Sequence, residues 1–166
     1  EGLISVGASI TSVSPVGVER YESAAYTIAE QIRSILTNEN EALLSAESEA
    51  YHLELLGCTA EEFSSSDQCA EAFVNDFGQQ AWRRPLSTSE QDRILTVFST
   101  VADDSGDYYT GLQYALAAIL QSPYFIYRAE EVMPGTSTLT EYSLASKLSF
   151  LLWNNTPDAE LLEAAE

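Results

Sequence analysis

Basic residues are the scarcest class in this 166-residue chain: seven Lys and Arg stand against 26 Asp and Glu, a formal net charge of −19. Both nucleic acid and anionic membrane surfaces are dense in negative charge and are repelled by such a field. Nucleic-acid binding is therefore excluded, while a basic partner would be drawn in. Lysine is almost absent, with Lys147 alone beside six arginines. Surplus carboxylate with so little Lys suits a protein kept soluble in salty surroundings, where screening weakens self-repulsion. No apolar run approaches the roughly 18 residues that a membrane span requires. The opening Glu1-Gly2-Leu3-Ile4-Ser5 lacks the basic start and small-residue cleavage site of a signal peptide, so an export signal is expected upstream of it.

The chemistry-bearing motifs are equally sparse. There is no Cys-x-x-Cys-His for attaching haem and no Gly-x-Ser-x-Gly nucleophile turn. His52 is the single histidine, which leaves a Ser–His pair or a His-based metal site without a second member. Carboxylates abound, yet no pair stands apart as a glycosidase-like site. Asp103, Ser105 and Asp107 follow the one-three-five oxygen spacing of a calcium loop. Tyr108 and Tyr114 occupy the positions where such a loop needs Gly and Glu, so helix capping explains those oxygens better.

What is present points to helices. The 45% hydrophobic fraction and the length suffice for a buried core. Residues 3–13 are β-branched and partly alternating, an extended lead-in or a short strand. Ser14-Pro15 then reads as an N-cap and first helical position, followed by Tyr21, Ala25, Ile28, Ile32 and Ile35 or Leu36 at helical spacing up to Asn38-Glu39-Asn40. Residues 41–56 fit either a short helix or irregular packing. Further helices carry Cys69, Phe73, Phe77 and Ala81; then Ile94, Phe98 and Val101 or Ala102; then Leu112, Ala115, Leu116, Ile119 and Leu120, the broadest apolar face. Pro85 ends the first of these near Arg84, and Ser87 with Glu90 forms a capping box for the next. Asp103 to Asp107 is expected as a loop, Ser122-Pro123 as a break, and Met133-Pro134-Gly135 as a turn. Thr140 caps a helix bearing Leu144, Ala145, Leu148, Leu151 and Leu152, and Thr156-Pro157 starts a short last one. The fold class is thus mainly α: a compact bundle of five to six helices with an extended N-terminal lead-in.

Cys58 and Cys69 flank a polar, turn-like stretch, and an even pair across such a loop favours a disulfide over two chance core thiols. A bridge of that size stabilises by roughly 2–3 kcal/mol and places the chain in the periplasm or outside the cell. Aromatics crowd the second half: Tyr108, Tyr109, Tyr114, Tyr124, Phe125, Tyr127, Tyr142, Phe150 and Trp153. Their helix-face spacing assigns most of them to the core, although an exposed row would stack on sugar rings.

Three ordered stretches carry a family resemblance. They are Phe77-Gly78 through Ala81-Trp82-Arg83-Arg84-Pro85-Leu86-Ser87 to Glu90; Gly111-Leu112 through Ile119-Leu120-Gln121-Ser122-Pro123-Tyr124-Phe125-Ile126-Tyr127-Arg128-Ala129-Glu130; and Leu139 with Tyr142, Leu144-Ala145-Ser146-Lys147-Leu148-Ser149, Leu152-Trp153, Pro157-Asp158 and Glu160-Leu161-Leu162. Together they resemble the planctomycete-type, cytochrome-associated domains of unknown function of large exported bacterial proteins. Ser143 and Lys147 depart from the Glu and Arg usual there. The resemblance implies a multidomain context: 1–56 as lead-in and first helix at the tail of a preceding domain, 57–135 as a helical domain with the Arg-Arg-Pro-Leu motif, and 136–166 as the start of a following one. It implies no cofactor in this chain, with haem in neighbouring modules, and it brings no catalytic residues.

Arg83, Arg84 and Arg128 sit at motif positions with Pro85 and Trp153. They would either clamp a carboxylate or haem propionate, or tie helix ends to nearby acids and free carbonyls, and the surplus of internal partners favours the second. The reading that follows is a non-catalytic scaffold or docking module, its partners being other modules of the same polypeptide or complex, or a basic partner. A carbohydrate- or surface-binding module using the Tyr-rich half, and a fragment of an enzyme domain, are the alternatives.

Overall fold

A computed structural model describes residues 14–37, 45–64 and 66–166. Among them the chain forms nine helices: α1 Pro15–Leu36, α2 Ser45–Leu56, α3 Ala60–Phe63, α4 Asp67–Trp82, α5 Thr88–Ser105, α6 Tyr108–Gln121, α7 Pro123–Ile126, α8 Glu141–Trp153 and α9 Ala159–Glu163. The expected five to six helices are exceeded because α3, α7 and α9 are single turns of four or five residues. The extended lead-in and the break at Asn38-Glu39-Asn40 lie outside the described residues.

Helix starts follow the local chemistry. Ser14, Asp107, Thr140 and Asp158 each accept backbone N–H groups of the turn they precede, satisfying donors that the helix itself leaves unpaired. Thr59 and Glu62 form a capping box over α3. Gly106, at φ +68°, ends α5 in the left-handed conformation that glycine adopts without steric cost. The stretch expected as a loop from Asp103 to Asp107 is mostly helix: Asp103 and Ser105 complete the last turn of α5, and only Gly106 and Asp107 link it to α6.

α6 is the buried centre, packed most extensively against α5 and α1. Leu112, Ala115, Leu116, Ala117 and Ile119 are essentially inaccessible. Gly111 permits the α5–α6 crossing, since a Cβ there would stand 2.7 Å from the Phe98 carbonyl and 2.9 Å from the Ala102 methyl. The core continues through Phe63, Phe73, Val74, Ile94 and Phe98. His52 is buried within this body and bonds the Tyr109 hydroxyl at 2.9 Å. A disulfide joins Cys58 to Cys69 across a Cα–Cα distance of 6.2 Å and ties the α2–α3 turn to α4. Closing that loop stabilises by about 3 kcal/mol on the chain-entropy account.

Two faces differ from their periodicity. In α1 the core side is Ala25, Ala29 and Leu36, while Tyr21, Ile28 and Ile35 stay exposed. In α8 all four leucines are inverted and only Ala145 of the expected face is buried. Ser143, Ala145 and Ser149 are buried, whereas Leu144, Leu148, Leu151 and Leu152 face outward. The aromatic assignment is corrected in part as well: Tyr114, Tyr124, Phe125, Tyr127 and above all Trp153 are exposed rather than core residues.

Candidate functional site: an arginine corner beneath a leucine face

The three sequence motifs meet at one corner. Pro123 has no N–H, so the Ile119 carbonyl loses the donor that an uninterrupted helix would supply. The Trp82 indole takes that place, donating to Ile119 O at 3.1 Å. Arg83 follows as the C-cap of α4 at φ +60°, a conformation uncommon outside glycine. That turn sends its side chain back into the protein, where it is only 6% exposed. Its guanidinium donates to the carbonyls of Ala81, Tyr124 and Tyr127, the last at 3.0 Å, closing the open end of α7. Burial lowers the pKa of Arg83, and neighbouring Arg128 lowers it further.

Arg84 turns the other way. It forks onto both oxygens of Glu90 at 2.8 and 3.0 Å, reaches Glu131 at 3.3 Å, and stacks over the Tyr124 ring at 4.2 Å. Pro85 sets the bend that brings Ser87 and Glu90 back beneath it. Glu90 also accepts from the Ser87 N–H and hydroxyl. Led by the Arg84 bonds, these donors pull the Glu90 carboxyl from 4.5 down to about 2. Arg84 is held more firmly protonated in turn, chiefly by the same bonds.

The α8 serines complete the corner. Ser143 Oγ accepts the Glu131 N–H at 2.9 Å and the Thr140 hydroxyl at 3.0 Å, and Ser149 Oγ donates to Asn155 O at 2.9 Å. Arg128 lies over the Phe150 ring at 4.7 Å, and Lys147 pairs with Glu130 at 2.9 Å. A cavity of about 100 Å³ remains, lined by Trp82, Arg83, Arg84, Tyr124, Tyr142 and Ser146 among others. Four of the seven basic residues gather here, yet the donors of Arg83 and Arg84 are engaged by carbonyls and carboxylates of the protein itself. The chemistry of the corner is that of a joint between α4, α7 and α8.

Asp103, Ser105 and Asp107 do not converge. The Ser105 hydroxyl bonds Val101 O, and the Asp107 carboxylate caps α6 through the N–H groups of Tyr109 and Thr110 and the Thr110 hydroxyl. Among the described residues no three His, Cys, Asp or Glu side chains group to hold a metal ion. No helix there is long and apolar enough to cross a membrane.

Outside the joint lies the feature that periodicity assigned to the core. Leu144, Leu148, Leu151 and Leu152 are 48, 41, 76 and 62% exposed. Trp153, 68% exposed at the end of α8, turns to the Ser149 side instead. Trp153 borders a groove of about 530 Å³ with Asn155, Thr156, Asp158, Glu160 and Leu161. The signal for the inversion was in the sequence: Ser143, Ser146 and Ser149 recur at three-residue intervals opposite the leucines.

Comparison with known families matches residues 69–130 to the PSD5 model, described as a protein of unknown function (DUF1595). Residues 139–166 match the PSD4 model, likewise a protein of unknown function (DUF1592). These are domains of the cytochrome-associated, planctomycete type that the motifs resemble. No curated protein and no solved structure matches the chain.

Proposed function

We propose that this chain, which carries a PSD5 and a PSD4 segment, is a non-catalytic helical docking module of an exported multidomain protein, with the outer face of α8 as its docking surface. One observation carries the reading: α8 buries its serines and presents its leucines to water. A helix that folded only to close its own core would do the reverse, because each buried leucine contributes roughly 2 kcal/mol. The serines are nevertheless fixed by specific bonds, so the orientation of α8 is set by the joint.

The neighbouring modules are the natural occupants. The two family matches cover 69–130 and 139–166, and that gap is the support for reading a module boundary near 135. The Cys58–Cys69 bridge supports an oxidising compartment, periplasmic or extracellular. The connection to c-type cytochrome electron transfer rests on the family type, and a Cys-x-x-Cys-His elsewhere in the same polypeptide is its test. Sugar binding has less support, because Tyr108 and Tyr109 meet Phe63 and each other's neighbours mostly edge-on or tilted rather than as a coplanar row.

The direct experiment places a photoreactive benzoylphenylalanine at position 151 of the complete polypeptide and maps the crosslinks by mass spectrometry. Crosslinks into another module are expected. Crosslinks confined to this module, or none, would reject the docking role.

A further inference from the structure

We infer that the groove between the end of α8 and α9 is a binding site for a neutral pyranose sugar, seated on the Trp153 indole. The site is separate from the docking surface and does not depend on it, since Trp153 turns to the Ser149 side of α8, away from the leucines. Tryptophan, the largest apolar side chain, is mostly buried in folded proteins. Trp82 obeys that rule at 8% exposure, with its indole N–H held by Ile119 O. Trp153 does not: it is 68% exposed, and its indole makes no hydrogen bond or ring contact among the described residues. It borders a groove of about 530 Å³, the size of a small-ligand site. A bare indole face of this kind stacks against the apolar C–H face of a sugar ring. The tyrosines of α6, packed edge-on, supply no such platform.

The polar wall of the groove then selects the ligand. Asn155 Oδ1 already accepts the Thr156 N–H at 2.9 Å, so what remains of that amide is a donor, Nδ2. The Thr156 hydroxyl and the Glu160 carboxylate make no hydrogen bond or ion pair among the described residues, and Asp158 commits one oxygen to the Leu161 N–H. None of the seven basic residues lines the groove. An occupant must therefore offer acceptors to Asn155 and donors to Asp158 and Glu160 together. Lysine and arginine side chains carry donors only, so a cation leaves the amide unanswered. An anion meets two carboxylates on a molecule of net charge −19. A hydrocarbon would strip water from those carboxylates and return no bond. Sugar hydroxyls donate and accept at once, and the ring they surround presents a flat apolar face to Trp153.

The test titrates the complete chain by calorimetry with hexasaccharides of glucose, mannose, galactose and xylose, with the hexamer of galacturonate, and with methylguanidinium as a cationic probe. Saturable binding of at least one neutral hexasaccharide is expected, at least ten-fold tighter than the galacturonate hexamer and accompanied by a blue shift of the exposed Trp153 emission. Trp153→Ala should abolish the heat of binding while leaving the melting temperature unchanged, because the side chain is exposed. Asn155→Ala should weaken binding about five-fold, the loss of one hydrogen bond. No binding by any of the four neutral sugars, or binding that persists in Trp153→Ala, would overturn the inference. Galacturonate bound as tightly as the neutral hexamers would reject selection by the two carboxylates. Methylguanidinium bound more tightly than every sugar, and lost in Glu160→Gln, would identify a cation site in its place.

Discussion

Glu90 receives four hydrogen bonds from two residues, the forked guanidinium of Arg84 and the N–H and hydroxyl of Ser87. All four favour its charged form, which is why its pKa falls to about 2. A carboxyl whose pKa is depressed on folding adds stability above its ordinary value of 4.5 and loses it as pH drops toward 2. Glu90→Gln is accordingly expected to destabilise the chain by roughly 1–3 kcal/mol at neutral pH, after discounting for partial solvent screening. The gap to the parent should close between pH 4.5 and 2, as measured by denaturant unfolding across that range. The Ser87–Glu90 pair was legible because capping is local in sequence. For Arg83 the kind of partner was legible, a free helix-end carbonyl, but not which one. Its acceptors, the carbonyls of Tyr124 and Tyr127, lie 41 and 44 residues away. They are available because α7 stops at Ile126 and the chain leaves it extended at Tyr127, a local ending that neither motif's spacing reveals.

Among the helices, α4, α5 and α6 follow their periodicity closely: the residues expected inside are inside, apart from the half-buried Phe77, and of Val101 and Ala102 it is Ala102 that is buried. They are covered by neighbours on the apolar side and by water on the other, the condition the 3.6-residue pattern assumes. α1 and α8 violate that condition, each having apolar side chains on more than one face. Packing decides which face is covered; in α8 the serine spacing marks the covered face, whereas in α1 the apolar spacing alone does not separate Ala25 and Ala29 from Ile28 and Ile35. Closeness of approach is a second property that spacing conceals. At Gly111 a methyl would collide with the backbone oxygen of Phe98, which cannot yield without moving α5. At Gly78 it would meet the Leu86 Cδ1 at 2.9 Å, the mobile end of a side chain. Gly111→Ala is therefore expected to cost about 2–3 kcal/mol, and Gly78→Ala about 1 kcal/mol or less. Paired thermal melts would show the difference, and equal losses would contradict the account of the α5–α6 crossing.

For the molecule as a whole, the acidic composition and the bare leucine ridge belong together. An uncovered ridge in water meets either a complementary surface or another copy of itself. A charge of −19 tilts the contest by keeping like molecules apart over distances near the Debye length, about 10 Å at 0.1 M salt. That protection can be switched off. Near the sequence isoelectric point of 4.1 the net charge vanishes, while the Glu90 carboxyl, held down to about 2, stays ionised. Self-association measured by light scattering should peak there, and Leu148→Glu with Leu151→Glu should flatten the peak; a maximum unmoved by that pair of substitutions would place the sticky surface elsewhere. The acid surplus thus acts as a spacer written into the composition, holding the leucine ridges of neighbouring molecules apart.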